Sequence, residues 1–172
     1  MSFTLRQANA QDAEALSQLG ATTFYDTFHT FHTHDDMKKY IAHAYNIEKI
    51  SACLTNPGIM YYLALNNGLP VGYIKLIKNV QPPELPEGRV AELEKIYVLK
   101  EYLGTGIGKK LMQQAIVAMV QENFDWLFLG VWQQNQRALD FYKGFGWEIC
   151  GVRQFKLGDT ICDDYVLKLK LG

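Results

Sequence analysis

The sequence has few cysteines, no run of like charges and no long apolar segment, and each absence excludes a class of protein. Its three cysteines, Cys53, Cys150 and Cys162, form no CxxC pair, which argues against a zinc site or a disulfide framework. Separate thiols fit a reducing compartment. No basic run exceeds Lys109-Lys110 and the formal net charge is −1, so neither nucleic acid nor an anionic membrane is an expected partner.

Apolar segments are short throughout the chain. None is long enough to cross a bilayer, and the opening residues MSFTLRQANAQDAEAL are polar where a secretory signal needs an apolar run. We therefore expect a cytoplasmic protein. Because 48% of its 172 residues are hydrophobic and 20% are charged, residues 1–172 are expected to form one domain with a substantial core. The sequence does not decide the oligomeric state, which leaves a homodimer open.

Periodic segments predict strands and helices mixed around one sheet. Strands are predicted at residues 3–7, 60–65, 71–77, 91–98, 126–131, 147–155 and 164–169. Helices are predicted after Asn9 or Asp12, from Thr33, and at residues 47–54, 108–122 and 135–145. This order predicts an α/β or α+β domain with a mostly β centre.

A glycine-rich turn joins the strand at 91–98 to the helix at 108–122, within EKIYVLKEYLGTGIGKKLMQQAI. A helix N-terminus offers unpaired N–H groups and the positive end of its dipole, which suit a phosphate. Glycines let the backbone approach the anion without a Cβ. Two nucleotide motifs are disfavoured: Leu103 and Lys110 break the Walker A pattern, and Lys109 stands where a Rossmann turn needs its third glycine.

The turn resembles the acetyl-CoA motif of the GNAT superfamily, Gln/Arg-x-x-Gly-x-Gly/Ala. Gly106 and Gly108 match the two required glycines, whereas Leu103 replaces the first residue. Downstream, LGVWQQNQRALDFYKGFGWEICG resembles the second half of the family, and the resemblance spans nearly the whole chain. It implies a mixed central sheet of about seven strands flanked by helices on both faces, and acetyl-CoA as co-substrate.

The resemblance also implies which residues contact the co-substrate. The family's strand end pairs with the pantetheine arm, the amide near Val98 holds the acetyl carbonyl, and Asn135 either binds the pantetheine amides or caps a helix. The implied contacts are Ile96, Tyr97, Val98, Leu103, Gly104, Thr105, Gly106, Ile107, Gly108, Lys109, Asn135 and Tyr142.

Acetyl transfer to an amine needs a base, because a free amine with a pKa near 10 is almost wholly protonated at neutral pH. Period-two alternation predicts that Glu92, Glu94, Ile96 and Val98 share one face of their strand. By resemblance Glu92 best matches the family's glutamate base, and Glu94 is the second candidate. The resemblance places Tyr142 near the cofactor sulfur as a proton donor to the thiolate, with a core aromatic as the alternative.

The segments TFYDTF, LEKIYV and LGVW most resemble PaiA-type spermidine/spermine acetyltransferases. That resemblance implies a small primary amine as acceptor, with polyamines favoured. The alternatives are a protein lysine or N-terminal acetyltransferase and a non-catalytic acyl-CoA-binding regulatory module. No metal is expected, because no regular element places His29, His32 and His34 on one face. They are interpreted as solvent or acceptor-pocket residues.

Overall fold

The computed structural model describes residues 3–172, which form a seven-stranded sheet with helices on both faces. The strand order is β1-β2-β3-β4-β5-β7-β6, and only β4 and β5 pair in parallel. The strands are β1 (Phe3–Gln7), β2 (Ile59–Asn66), β3 (Leu69–Lys78), β4 (Val90–Val98), β5 (Trp126–Trp132), β6 (Glu148–Leu157) and β7 (Thr160–Lys170). The helices are α1 (Ala13–Phe28), α2 (His34–Ala44), α3 (Ile47–Thr55), α4 (Ile107–Gln121) and α5 (Gln136–Lys143).

The predicted mixed sheet is confirmed, and most elements lie within two residues of their predicted bounds. The largest shift is in β7, which begins at Thr160 instead of Asp164. Gly158 adopts a left-handed conformation (φ 62°), and this allows a tight hairpin that extends the pairing of β6 with β7. Among residues 3–172, no helix combines the length and the apolar character needed to cross a bilayer.

Residues 3–172 form three apolar clusters, and the two larger ones lie on opposite faces of the sheet. On the first, called the α1 face, helices α1 to α3 pack on a core that includes Leu16, Phe24 and Tyr73. On the second, called the α4 face, α4 and α5 pack on a core that includes Leu93 and Leu111. Helices therefore cover the central strands on both sides, and a ligand can reach between these strands where neighbouring strands separate.

Such a separation occurs between β4 and β5. The two strands pair only where Val90–Glu92 of β4 meet Trp126–Phe128 of β5, although both continue for several residues. Beyond the paired segment they diverge and open a cleft in the middle of the sheet. Leu99, the residue after β4, donates its N–H to Val71 O of β3 at 2.9 Å. Because N–H directions alternate along a strand, the N–H of Val98 points the other way, into the cleft.

A β-bulge interrupts β4 at Glu94. Lys95 opposes Lys75 and Leu93 opposes Leu76, which leaves Glu94 as the extra residue on β4. As a result Leu93, Ile96 and Val98 all pack toward the α4 face, whereas Tyr97 packs toward the α1 face. The prediction that Glu92 and Glu94 share a face with Ile96 and Val98 is therefore wrong, because the extra residue reverses the alternation within the strand.

Candidate active site

A cavity of about 760 Å³ fills the cleft between β4 and β5. Its walls are the ends of both strands, the glycine-rich turn, α5 and the last two turns of α1. Of the predicted co-substrate contacts, the structure brings these together around it: Ile96, Tyr97, Val98, Leu103, Gly104, Gly106, Gly108, Lys109, Asn135 and Tyr142.

Two predicted contacts do not line this cavity. Thr105 turns its hydroxyl back onto the chain, donating to Tyr102 O at 2.6 Å. Ile107 is a core residue with 1% of its surface exposed. Their side chains therefore serve the turn and the core, and only their backbone can serve a ligand.

The N-terminus of α4 provides unpaired donors at the cavity. The first intrahelical bond runs from Lys110 N–H to Gly106 O at 3.1 Å, and no side chain caps the helix. The N–H groups of Ile107, Gly108 and Lys109 therefore have no acceptor within the helix. Gly106 is left-handed (φ 89°), and the space in which its Cβ would lie is open.

Basic side chains outnumber acidic ones on the cavity wall. Lys100, Lys109 and Arg137 line the cavity together with Asp26, and Lys109 lies in the first turn of α4, near the positive end of its dipole. Free N–H groups, open backbone and three cations together fit a pyrophosphate and its attached phosphate. The residues present are therefore the donor set that a coenzyme A thioester requires.

A smaller cavity of about 220 Å³ adjoins the first on the α1 face. Ile96, Tyr97, Trp132, Asn135 and Tyr142 line both, so the two spaces meet at these residues. The smaller cavity also contains the charged side chains of Glu92, Glu94, Lys95, Arg153 and Asp164. The two adjoining spaces therefore differ in character: the larger lies at the N-terminus of α4, and carboxylates line the smaller.

Tyr142 lies at the junction of the two cavities. Its ring packs against Trp147 and Phe141, with centroid separations of 5.8 and 5.5 Å, and 8% of the residue is exposed. Burial raises the pKa of its hydroxyl, so the group stays protonated at neutral pH. The ring is thus a core aromatic that also borders both ligand spaces, and its role as proton donor stays a prediction.

Asn135 caps α5. Its Oδ1 accepts a hydrogen bond from Ala138 N–H at 3.2 Å, as an N-cap residue does. The capping interpretation is confirmed, and the Nδ2 group is the part of the side chain that can donate to a ligand. A contact from Nδ2 to the pantetheine arm stays a prediction.

Glu92 faces the smaller cavity with one basic partner. Burial raises the pKa of its carboxyl, and Arg153, whose Nη2 lies 3.5 Å from Glu92 Oε1, partly opposes that rise. Arg153 reaches Glu92 from β6 by crossing Gly130 of β5, where a Cβ would collide with the guanidinium. Sequence reasoning missed Arg153, although a glycine inside an apolar strand signals such a close approach.

Glu94 is held more tightly by cations. It forms an ion pair with buried Lys75, and its Oε1 lies 3.9 Å from Lys95 Nζ. Burial opposes its ionisation, but the two lysines outweigh burial and lower its pKa. A carboxylate stabilised in this way is a weaker base than Glu92, which favours Glu92 of the two predicted candidates. Catalysis by either residue stays a prediction.

Aromatic rings form the outer wall of both spaces. Trp132 has Phe31 at 5.1 Å, His32 at 5.3 Å and Phe28 at 6.2 Å between ring centroids. His32 lines the smaller cavity, and burial lowers its pKa, so it is neutral near pH 7. His29 instead stacks on Tyr25 at the surface. His32 therefore lies in the smaller cavity and His29 at the surface, the two kinds of position predicted for these histidines.

Comparisons with known proteins identify what this architecture is similar to. A model of the Acetyltransferase (GNAT) family matches residues 20–147. An uncharacterized N-acetyltransferase in the pepI 3′ region of Lactobacillus delbrueckii subsp. lactis is 31% identical over 167 residues, 96% of this chain and 95% of the relative. The spermidine N(1)-acetyltransferase of Thermoplasma acidophilum is 26% identical over 176 residues, 99% and 98% of the two chains. The solved structure of PaiA N-acetyltransferase from Thermoplasma acidophilum in complex with coenzyme A has a TM-score of 0.79 at 22% identity, covering 99% of each chain.

Proposed function

The chain belongs to the GNAT family of acetyltransferases, and we propose that the amine it acetylates is a small polyamine such as spermidine or spermine. The family expected from the glycine-rich turn is thereby confirmed. The protein is an acyltransferase that uses acetyl-CoA as co-substrate. A cytoplasmic location stays a prediction from the three separate cysteines.

The chemistry we propose is direct attack by the amine while both substrates are bound. Two cavities that meet at Tyr142 support this order, because neither space has to empty before the other fills. Glu92, directly or through water, accepts a proton from the ammonium. The Val98 N–H stabilises charge on the acetyl oxygen, and Tyr142 gives its proton to the departing sulfur.

The observation that carries the polyamine proposal is the charge of the smaller cavity. Three carboxylates, Glu92, Glu94 and Asp164, line it; Glu94 is paired with Lys75 and Lys95 and Glu92 with Arg153, which leaves Asp164 without an ion-pair partner among residues 3–172. Its volume of about 220 Å³ suits a slender aliphatic chain. The spermidine acetyltransferase of Thermoplasma acidophilum, which covers 99% of this chain, supports the same class of acceptor.

The rate at which coenzyme A thiol is released should depend on the charge and shape of the acceptor. Spermidine or spermine is expected to be acetylated faster than a lysine-containing peptide, because a compact polycation matches a narrow cavity lined with carboxylates. Added salt should lower the rate with polyamines, since salt screens the long-range attraction that draws a polycation toward these carboxylates. Initial rates across a panel of amines and peptides at several salt concentrations make the test. Peptide turnover above that of every polyamine would favour a protein acetyltransferase, and no turnover at all would favour a binding module.

Replacing Glu92 by Gln should change the shape of the pH–rate profile. The carboxyl works as a base only when it is ionised, and its pKa is raised, so wild-type activity should fall as pH drops through that raised value. In Glu92→Gln this fall at low pH, the acid limb of the profile, should disappear. Activity should be low at neutral pH and should climb as the amine, of pKa about 10, deprotonates unaided. The measurement is kcat/KM from pH 5 to 10.

Glu94→Gln serves as the control for that experiment. It removes the same charge from the same strand, but it chiefly leaves buried Lys75 without its partner. We expect it to lower the melting temperature and to keep the wild-type acid limb. If Glu94→Gln loses the limb and Glu92→Gln keeps it, the two glutamates have the opposite roles.

A further inference from the structure

Asp164 is a buried carboxylate in the smaller cavity that the reaction scheme above does not use. It lies on β7, opposite Trp132 of β5 and Arg153 of β6, and only 6% of the residue is exposed. Within residues 3–172 its side chain makes no hydrogen bond and no ion pair. It lines the cavity, so its free oxygens border the space in which an acceptor would lie.

A carboxylate in this setting lacks the partner that burial normally requires. Burial raises the pKa of Asp164 to about 6; the nearby charge of Arg153 opposes this rise and that of Asp163 reinforces it. The Arg153 guanidinium is directed to Glu92, at 3.5 Å, and not to Asp164. Because an unpaired buried charge is costly, a cation that enters the cavity would bind favourably here.

Asp164 and Glu92 lie apart both across and along the sheet. Strand β5 separates β4 from β7, and Glu92 opposes Phe128 whereas Asp164 opposes Trp132, four residues farther along β5. At the usual strand spacing and rise per residue, each offset is roughly 10 Å or more, so the two carboxylates would hold different nitrogens. Trp132, Phe155 and Leu157 give this cavity an apolar and aromatic wall, while the Arg153 guanidinium lies over Gly130 of β5, between the two strands that carry the carboxylates. Two carboxylates on separate strands beside an apolar wall match a molecule with two cationic nitrogens on a methylene chain.

We propose that Asp164 binds an ammonium group of the acceptor other than the one that is acetylated. The inference rests on the proposed polyamine acceptor and names the residue that distinguishes a diamine or polyamine from a monoamine. Trp132, which lies on β5 directly opposite Asp164 of β7, provides an aromatic surface beside the same ammonium.

The test compares Asp164→Asn with Asp163→Asn on matched acceptors. Asp163 is the adjacent, exposed carboxylate, so its variant makes the same charge change outside the cavity. With spermidine or 1,4-diaminobutane, Asp164→Asn should lower kcat/KM roughly 10- to 100-fold, the usual worth of a hydrogen bond to a charged group, mainly through KM. With butylamine, which has one nitrogen, Asp164→Asn should leave kcat/KM unchanged. Asp163→Asn should change neither.

A second variant tests the geometry of the same contact. Asp164→Glu keeps the negative charge and moves it one methylene farther into the cavity. The diamine with the highest kcat/KM should therefore become shorter, with 1,3-diaminopropane preferred to 1,4-diaminobutane. An unchanged KM for acetyl-CoA reports that each variant is folded. Equal losses for diamine and monoamine, or no loss for either, would overturn the role of Asp164 and leave the polyamine acceptor standing. A wild-type enzyme that acetylates no di- or polyamine would overturn both.

Discussion

Replacing Tyr142 by Phe is expected to lower kcat roughly 10²-fold or more, the usual contribution of a general acid, with little change in the KM for acetyl-CoA. The departing thiolate needs a proton, and Tyr142 borders both ligand spaces. Burial raises the pKa of its hydroxyl, which keeps the proton in place throughout the neutral range. Phe preserves the packing on Trp147 and removes only the hydroxyl. Steady-state kinetics over the full pH range measure the effect.

Tyr165→Phe is the matched control for that variant. Tyr165 packs against the same core on the α4 face but lies outside both cavities. The control should keep wild-type kcat and a similar melting temperature. If Tyr142→Phe also keeps near-normal kcat at every pH, Tyr142 only packs, and the thiolate leaves unprotonated or takes its proton from water.

Replacing Gly106 by Val is expected to raise the Kd for acetyl-CoA by about 10²-fold or more, the cost of losing two hydrogen bonds to a charged group. Gly106 has φ 89°, which a β-branched residue avoids, and its Cβ would enter the open space at the N-terminus of α4. Both effects displace the N–H groups that face the phosphates. Calorimetric titration of the variant with acetyl-CoA gives the Kd directly.

Gly68→Val separates backbone strain from blocked access in that experiment. Gly68, in the turn between β2 and β3, has φ 81° and an equally open Cβ position, but it does not line the cavity. Both variants should lose stability, by about 1–3 kcal/mol for a strained backbone, and only Gly106→Val should lose affinity. Wild-type affinity in a folded Gly106→Val protein would contradict a pyrophosphate cradle at this turn.

Local patterns in the sequence predict most of the fold and the co-substrate side of the site. Hydrophobic periodicity is a property of neighbouring residues, so it locates the strands and helices within a few residues. The glycine-rich turn at 104–108 combines strand, turn and helix start in one continuous segment, and its backbone geometry follows from glycine itself. Asn135 as a helix cap follows in the same way from local chemistry.

The acceptor side depends on contacts between distant strands, which local patterns do not contain. The bulge at Glu94 is defined by the register of β4 against β3, and simple alternation therefore misplaces Glu92 relative to Ile96. Arg153 and Asp164 join the site only because β7 inserts between β5 and β6. In the sequence they follow Glu92 by more than fifty residues and belong to no motif.

Mass analysis of one competition reaction tests the proposed activity most directly. Wild-type protein is incubated at low salt with acetyl-CoA and equal concentrations of spermidine and a peptide that has both a free N-terminus and a lysine. Acetylspermidine should accumulate well ahead of acetylated peptide, and at an acetyl-CoA concentration near the wild-type Kd the Gly106→Val protein should form both products far more slowly. Acetylated peptide with unmodified spermidine would contradict the polyamine acceptor and assign the smaller cavity to a protein amine.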